Sequence, residues 1–268
     1  MKRHEFLREL HKVTANRNYL EIGVNDGRSL RLSRVPSIAV DPAFKVTTEI
    51  RCDVHLVKAT SDDFFARANP LQHLKGGRHP WRNLRRGRHP LGHWRRTTLD
   101  LSFIDGMHLF EYALRDFINI ERHSDWASVI VFDDMLPRNV DEAARDRHTG
   151  AWAGDVYKVT EILDRYRPDL VTVLVDTQPT GQLVVFGADP RNPVLRQKYD
   201  EILAEFDVPD PQKVPETVLD RVRAVPPETL LEAGFWRPLV RARNLGLSRS
   251  RGWGALRGAL AEQVTLSR

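Results

Sequence analysis

The chain has 268 residues, of which 41% are hydrophobic. That length and composition suit one large domain, or one domain with a small appendage, around a substantial core. No run approaches the ~20 apolar residues of a membrane-spanning helix, and we expect no signal peptide after the charged N-terminus. The single cysteine, Cys52, excludes an intramolecular disulfide framework and a cysteine-based zinc cluster. We therefore expect a cytoplasmic enzyme of bacterial type.

The net charge of +5 is unevenly distributed. Residues 70–97 contain eight Lys or Arg and no Asp or Glu, and the tetrapeptide Gly-Arg-His-Pro occurs at 77–80 and again at 87–90. We interpret this basic segment as a solvated insertion, with binding of nucleic acid, an anionic small substrate or a membrane surface as alternatives. Its four histidines match no zinc-site spacing. The Arg-rich end, residues 241–268, is predicted to be a frayed tail rather than an amphipathic helix on an acidic surface.

Helix and strand patterns alternate along the first two thirds of the chain. Apolar residues at helical spacing predict helices at 3–14, 109–122 and 155–166, and another that Ser61 caps. Short apolar runs predict strands at 19–23, 37–41, 54–58, 99–104, 128–132, 170–175 and 182–186. The last two runs flank a Thr-Gly turn and predict a hairpin, so that the seventh strand is antiparallel. The alternation predicts a Rossmann-like, doubly wound, mostly parallel α/β sheet.

The pattern changes after Gly187, where helices are separated by proline-rich connectors. We predict one domain over residues 1–190, which includes the basic segment, and a helical, Pro-rich and Arg-rich extension over residues 191–268. The oligomeric state is left open, with a homo-oligomer as one alternative.

A glycine-containing turn follows the first predicted strand, in the run LEIGVNDGRS of residues 20–29. Gly23 and Gly27 allow the backbone to approach a ligand closely. Position 25 is Asn25, so the dinucleotide pattern G-x-G-x-x-G is absent. A dinucleotide pyrophosphate needs the close approach that the middle glycine gives, whereas S-adenosylmethionine has no phosphate. The turn therefore favours S-adenosylmethionine.

Polar residues after the next two strands complete the predicted cofactor site. Asp41 ends the second strand, 20 residues after Glu21, where a carboxylate can accept both ribose hydroxyls. Ser61 and Asp62 follow the third strand, within reach of the adenine. The alternative is that the glycines only make a tight turn and that Asp41 caps a loop.

Three carboxylates are predicted to converge at the ends of the fourth and fifth strands. Asp105 follows the fourth strand, and Asp133 and Asp134 follow the fifth. Because adjacent parallel strands place their carboxyl ends side by side, these acids meet where α/β sheets bind ligands. Their mutual repulsion raises at least one pKa, and a hard divalent cation such as Mg²⁺ relieves it. We predict a divalent-cation site, with a helix cap for Asp105 and an ordinary loop for the aspartate pair as alternatives.

His108 and Trp152 are the predicted residues on the acceptor side of the site. His108 follows Asp105 by three positions, and its ordinary pKa of about 6.5 makes it a candidate general base. The alternative for His108 is a surface position in a first helical turn. Trp152 precedes the helix at 155–166 and is a candidate cover for the substrate, with simple packing as the alternative.

The spacing Glu21-x-Gly23-x-x-x-Gly27-x-Ser29 resembles motif I of class I methyltransferases. The resemblance covers roughly residues 15–190 and is to the Methyltransf_24 type, similar to the cation-dependent catechol, cephalosporin and macrolide O-methyltransferases. It implies that Glu21 orients the loop, that the two glycines line the methionine moiety, and that Ser29 holds the methionine carboxylate.

The resemblance extends to the acid cluster. It implies metal ligands at the same two strand ends, and Asp105 is assigned to both the cofactor and the metal site. The catechol group has Asp-Asn where this chain has Asp133–Asp134, and it has a lysine as general base at the position of His108. The extra carboxylate leaves the identity of the metal open.

Together these features predict a metal-assisted O-methyltransferase for a small hydroxylated molecule, such as a sugar or a natural product. The substrate oxygen attacks the sulfonium methyl group in line, the cation fixes that oxygen, and His108 accepts its proton. The alternatives are a metal-independent N-methyltransferase, a non-catalytic cofactor-binding protein, and a nucleic-acid-binding protein that uses the basic segment.

Overall fold

Seven strands form one mixed sheet in the computed structural model, which describes residues 1–76 and 97–264. They lie in the order β3-β2-β1-β4-β5-β7-β6, and β7 is antiparallel to both of its neighbours. The predicted Rossmann-like fold class with an antiparallel last strand is therefore confirmed. The strands are β1 (Tyr19–Ile22), β2 (Ser37–Val40), β3 (Val54–Val57), β4 (Leu101–Ile104), β5 (Val129–Phe132), β6 (Val171–Val175) and β7 (Gln182–Phe186).

Helices cover both faces of this sheet. Within the described part of the chain, no helix is long and apolar enough to cross a membrane. The helices are α1 (Arg3–Thr14), α2 (Ser61–Phe65), α3 (Gln72–Gly76), α4 (Phe110–Glu121), α5 (Lys158–Tyr166), α6 (Val194–Gln197), α7 (Tyr199–Phe206), α8 (Glu216–Leu219), α9 (Pro227–Leu231), α10 (Trp236–Leu245) and α11 (Arg249–Val264).

The central strands place four loops at one edge of the sheet. Strands β1, β2, β4 and β5 are buried at every position, as expected for strands covered on both faces. Ile22 is in register with Val40 on one side and with Ile104 on the other, and Ile104 is in register with Phe132. The four strands therefore end at the same level, and the residues that follow them share one edge.

Two apolar layers hold the helices to the sheet. On one face, Phe110 and Phe117 of α4 pack in a cluster with residues of α5 and α7. On the other face, Phe6 of α1 packs in a cluster with Trp236 of α10 and Trp253 of α11. The first and the last helices of the chain thus share one hydrophobic layer.

The Arg-rich end of the chain is folded as far as the structure describes it. Helix α11 buries Trp253, Leu256 and Leu260, each at most 7% exposed. The predicted frayed tail at 241–268 is therefore wrong for its described part. The burial is favourable because a sheet face lies beneath the helix, which the local sequence does not reveal. The division of the chain at residue 190 stays a prediction.

The start of the basic segment also differs from its prediction. Leu71 and Leu74 are buried in the main core, and residues 72–76 form α3. The exposed insertion is therefore wrong for residues 70–76. Residues 77–96, with the repeated tetrapeptide and the predicted contacts of the insertion, lie outside the described residues.

Candidate active site

A cavity of about 530 Å³ opens beyond the ends of β1, β2 and β4. Its wall combines apolar side chains from the strands with polar groups from the loops after them. It is lined by Arg3, Ile22, Gly23, Asn25, Val40, Asp41, Pro42, Thr60, Ser61, Asp62, Asp105, Gly106, Met107, His108, Tyr112 and Asp116. Most of the residues predicted for the cofactor therefore lie around one space.

The glycine turn brings the backbone after β1 against the segment after β4. Gly23 has φ +86°, and a Cβ atom there would lie 1.8 Å from the Asp105 carbonyl oxygen. No other residue fits at that position. Gly27 has φ +83°, and Asn25 also adopts the left-handed region with φ +47°. The turn is thus built by residues that tolerate positive φ.

The Asp41 carboxylate stabilises this turn from the end of β2. Its Oδ2 accepts hydrogen bonds from the backbone N–H groups of Val24 (2.8 Å) and Asn25 (2.9 Å), and its Oδ1 accepts one from Ala43 (2.6 Å). Asp41 also lines the cavity. Its contact with a ribose stays a prediction, which its position permits.

Glu21 and Ser29 lie behind the turn and are not among the residues that line the cavity. Glu21 is fully buried and accepts hydrogen bonds from the Tyr19 hydroxyl (2.7 Å) and the Ser29 hydroxyl (2.7 Å). Burial outweighs these two hydrogen bonds and raises the pKa of Glu21 to about 8. The two residues connect the turn to β1, and the predicted contact of Ser29 with the methionine carboxylate stays a prediction.

Helix α2 begins at another part of the cavity wall. Thr60, not Ser61, is its N-cap, because the Thr60 hydroxyl oxygen accepts from the Asp63 backbone N–H (3.1 Å). Ser61 and Asp62 line the cavity as predicted, but Asp62 Oδ2 is ion-paired with Arg115 (2.7 Å). The predicted contacts of both residues with adenine stay predictions.

Asp116 is a cavity residue that the sequence analysis missed. It lies on α4 at only 3% exposure, and the Ser61 hydroxyl is its hydrogen-bond partner. Burial raises the pKa of Asp116 to about 7. The sequence does contain a signal for it. Asp116 lies three positions after Ala113 and four before Ile120, so helical spacing puts its carboxyl group on the apolar face of the helix.

The predicted acid cluster forms at the ends of β4 and β5, with His108 inside it. His108 Nε2 lies 3.6 Å from Asp105 Oδ1, and His108 Nδ1 lies 3.3 Å from Asp134 Oδ2. One ligand atom from each of Asp105, His108 and Asp134 lies within 4.8 Å of the other two. Geometrically, His108 thus joins two of the predicted metal ligands, and the Asp133 carboxylate is directed elsewhere.

Arg3 is the partner of Asp133, and the sequence analysis assigned no role to it. Its guanidinium donates to Asp133 Oδ2 and lies 3.9 Å from Asp105 Oδ2. Asp133 is 2% exposed, and its Oδ1 is buried without a hydrogen-bond partner among the described residues. Burial and the neighbouring carboxylates raise the pKa of Asp105, Asp133 and Asp134, as the sequence predicts for converging acids.

The loop that contains Trp152 holds His108 in place. His108 Nδ1 lies 2.7 Å from the Trp152 carbonyl oxygen, and the two rings stack at 5.1 Å with 13° between their planes. Since a carbonyl oxygen only accepts hydrogen bonds, Nδ1 carries a proton. The other ring nitrogen, Nε2, faces the Asp105 carboxylate. Burial lowers the pKa of His108, but its hydrogen bond to Asp105 and the charges of Asp134 and Asp105 raise it to about 9.

Together, this sheet, the glycine turn after β1 and the acid at the end of β2 define a class I methyltransferase fold. Residues 20–135, less than half of the chain, match the family model Methyltransf_24, described as a methyltransferase domain. This part of the chain is similar to that family, and the predicted enzyme class of methyltransferase is confirmed. None of the curated proteins compared with the chain matches it.

Three solved structures illustrate the proteins to which the fold is similar, each covering 69% of this chain. A putative O-methyltransferase from Klebsiella pneumoniae is 13% identical, with 80% of its own chain covered and a TM-score of 0.45. The O-methyltransferase TomG from Streptomyces achromogenes is 15% identical, with 79% covered and a TM-score of 0.40. A putative caffeoyl-CoA O-methyltransferase from Staphylococcus aureus is 12% identical, with 82% covered and a TM-score of 0.43.

Proposed function

We propose that this protein transfers the methyl group of S-adenosylmethionine to a hydroxyl oxygen of a small molecule, such as a sugar or a natural product. The observation that carries the proposal is one continuous cavity that contacts the glycine turn and also the cluster of Asp105 and His108. A methyl donor bound along the turn then lies beside groups that can orient a hydroxyl and accept its proton. The family match supports the reaction class.

Each part of the cofactor has chemically suitable neighbours in this cavity. Asp41 is placed to accept hydrogen bonds from the ribose hydroxyls. The methionine part follows the backbone near Gly23, where the lack of a side chain permits close approach. Ile22 and Val40, both nearly fully buried, offer apolar surface to the purine.

A divalent cation fits the group of Asp105, His108 and Asp134. Three ligand atoms within 4.8 Å of one another suit a single ion, and the two carboxylates are ligands that Mg²⁺ and Mn²⁺ accept. The imidazole shifts the preference of the set from Mg²⁺ toward Mn²⁺ or another transition metal. When bound, such a cation stabilises an alkoxide or phenolate and fixes its position.

His108 has two roles in this scheme that exclude each other. With Nδ1–H donated to the Trp152 carbonyl, a neutral ring has one lone pair, at Nε2. That nitrogen either takes the proton of the attacking hydroxyl or binds the ion.

In the transfer itself, the acceptor oxygen forms a bond to the methyl carbon while the carbon–sulfur bond breaks, and the sulfonium loses its positive charge.

A metal-independent methyltransferase is the second candidate, and the charges around the acids favour it. Arg3 already pairs with Asp133, and an imidazolium at His108 offsets the charge of Asp105 and Asp134. Three carboxylates facing two cations have little charge left for a divalent ion to neutralise. An imidazolium cannot take a further proton, so in this version only the neutral form of His108 activates the nucleophile, and methyl transfer should increase as the pH rises toward 9.

Two measurements test the proposal and separate its versions. Calorimetry with S-adenosylhomocysteine should give micromolar binding, and absence of binding at ~1 mM would refute the use of this cofactor. Transfer of labelled methyl groups to a panel of sugars and phenols, with EDTA or with added Mn²⁺, then reports the cation requirement. Asp134→Asn should lower transfer only in the metal-assisted version that requires Mn²⁺, with the exposed Asp220→Asn as matched control.

A further inference from the structure

The cavity contains a buried carboxyl group for which the proposed methyl transfer has no use. Asp116 lines the cavity from α4, one helical turn after Tyr112, and is 3% exposed. A Cβ atom added at Gly106 would lie 3.5 Å from Asp116 Oδ2, so the carboxyl reaches the segment after β4. The Ser61 hydroxyl contacts it from α2. The group therefore lies between the loops that follow β4 and β3.

The neighbouring carboxyl of Asp62 is differently engaged. Its side chain is 46% exposed, and its Oδ2 lies 2.7 Å from an Arg115 guanidinium nitrogen. Asn119 approaches its other oxygen at 3.5 Å. Asp116 forms no ion pair within the described part of the chain, and its hydrogen-bond partner is the neutral Ser61 hydroxyl. Of these two carboxyls, Asp116 is the one that has acceptor capacity left for a ligand.

We propose that Asp116 is the residue that selects adenine, by accepting a hydrogen bond from the 6-amino group of the base. This inference rests on the proposed use of S-adenosylmethionine. Beyond a ribose at Asp41, the base would extend over Ile22 and Val40 toward Ser61 and Asp116, all of which line the same cavity. A 6-oxo purine would place a carbonyl oxygen against the carboxylate, and a buried acceptor facing another acceptor is strongly disfavoured.

The environment of Asp116 supports this role. Burial raises its pKa to about 7; the Ser61 hydroxyl and the Arg115 guanidinium oppose this shift, and the Asp62 carboxylate adds to it. An amine that donates to the carboxylate favours the ionised form. Binding of an adenine nucleoside near pH 6.5 should therefore release a fraction of a proton to the buffer. A 6-oxo nucleoside should instead take up a fraction of a proton, because only the protonated carboxyl can donate to its carbonyl oxygen.

The test compares S-adenosylhomocysteine with S-inosylhomocysteine, which has a 6-oxo group and N1–H in place of the 6-amino group and the bare N1, by calorimetry at pH 9, where the Asp116 carboxyl is ionised. The wild-type chain should bind the adenine compound about 10- to 100-fold more tightly, the range for a hydrogen bond to a charged group. In Asp116→Asn the amide can turn either its oxygen or its NH₂ toward the base, so the preference should fall below about threefold. The exposed Asp63→Asn on the same helix as Ser61 is the matched control and should retain the full preference.

The possible outcomes separate this inference from the proposed function. Equal binding of the two nucleosides by the wild-type chain, or full preference in Asp116→Asn, overturns the role of Asp116 while leaving the methyl donor intact. Binding of neither nucleoside overturns the proposed function and this inference with it, because both compounds carry the same ribose and homocysteine. If Asp116→Asn does not fold, the number of protons that the wild-type chain releases on binding, measured by calorimetry in two buffers, decides the question. The proposal is refuted if both nucleosides release the same number of protons.

Discussion

Glu21→Gln removes a buried ionisable group while retaining its shape and its ability to accept hydrogen bonds. In the folded chain, burial raises the pKa of Glu21 to about 8, from an ordinary value of 4.5. The group therefore favours the folded state fully below pH 4.5 and loses that contribution as the pH rises toward 8. With these two pKa values, the free energy of unfolding falls by about 2.5 kcal/mol between pH 5 and pH 7, since each tenfold change in an equilibrium constant corresponds to ~1.4 kcal/mol.

Urea unfolding of both proteins at pH 5, 6, 7 and 8 measures this effect. Glutamine cannot ionise, and its carbonyl can accept from the Tyr19 or Ser29 hydroxyl. Glu21→Gln should therefore gain about 2–3 kcal/mol over the wild-type chain from pH 5 to pH 7. The exposed Glu232→Gln should gain nothing that depends on pH. A stability difference that stays constant within ~0.5 kcal/mol across this range would refute the reasoning.

Three further predictions concern the cation, the histidine loop and the C-terminal helix. Under the metal-assisted proposal, Asp134→Asn should weaken Mn²⁺ binding at least about tenfold in electron paramagnetic resonance titrations, while S-adenosylhomocysteine binding changes less than about twofold. Gly154→Ala should lower the unfolding free energy by at least ~2 kcal/mol. Gly154 has φ +61°, and the new Cβ would lie 1.6 Å from the His108 carbonyl oxygen. Gly150→Ala is the control, because the space around Gly150 is open. Trp253→Ala should cost about 3–5 kcal/mol in urea unfolding, and a loss under ~0.5 kcal/mol would mean that α11 does not pack in solution.

The sheet is the part of this fold that local sequence predicts well. Five of the seven strands, β1, β2, β4, β5 and β7, are buried at every position. Each predicted strand overlaps the observed one to within two residues at either end. Helix α11 escaped prediction because Trp253 and Leu260 are spaced among arginines and small residues. Their burial depends on a sheet face formed by strands far away in the sequence, and no local pattern encodes that.

In the candidate site, too, the residues that follow strands were predictable, and those that lie on helices were not. Asp41, Asp105 and Asp134 were predictable because they follow strands that end at one level. Arg3 and Asp116 come from helices, and their contribution depends on how each helix is rotated and docked. Helical spacing alone put Arg3 at the start of an amphipathic pattern, with no indication that it would reach an acid 130 positions later.

The docking of α1 also links the acid cluster to the C-terminal helices. The Arg3 backbone N–H donates to the Gln178 carbonyl (3.0 Å), and the Gln178 N–H donates to the Met1 carbonyl (2.9 Å), so the start of the helix is fixed to the loop between β6 and β7. The other end of α1 is held by Arg243 of α10, which donates to the Ala15 carbonyl (3.1 Å). Because α1 is hydrogen-bonded at both ends, a displacement of α10 that moves the end of α1 would also move Arg3 at its start. The position of the Arg3 guanidinium, and with it the charge that a cation or substrate meets at Asp133, therefore depends on helices at the far end of the chain.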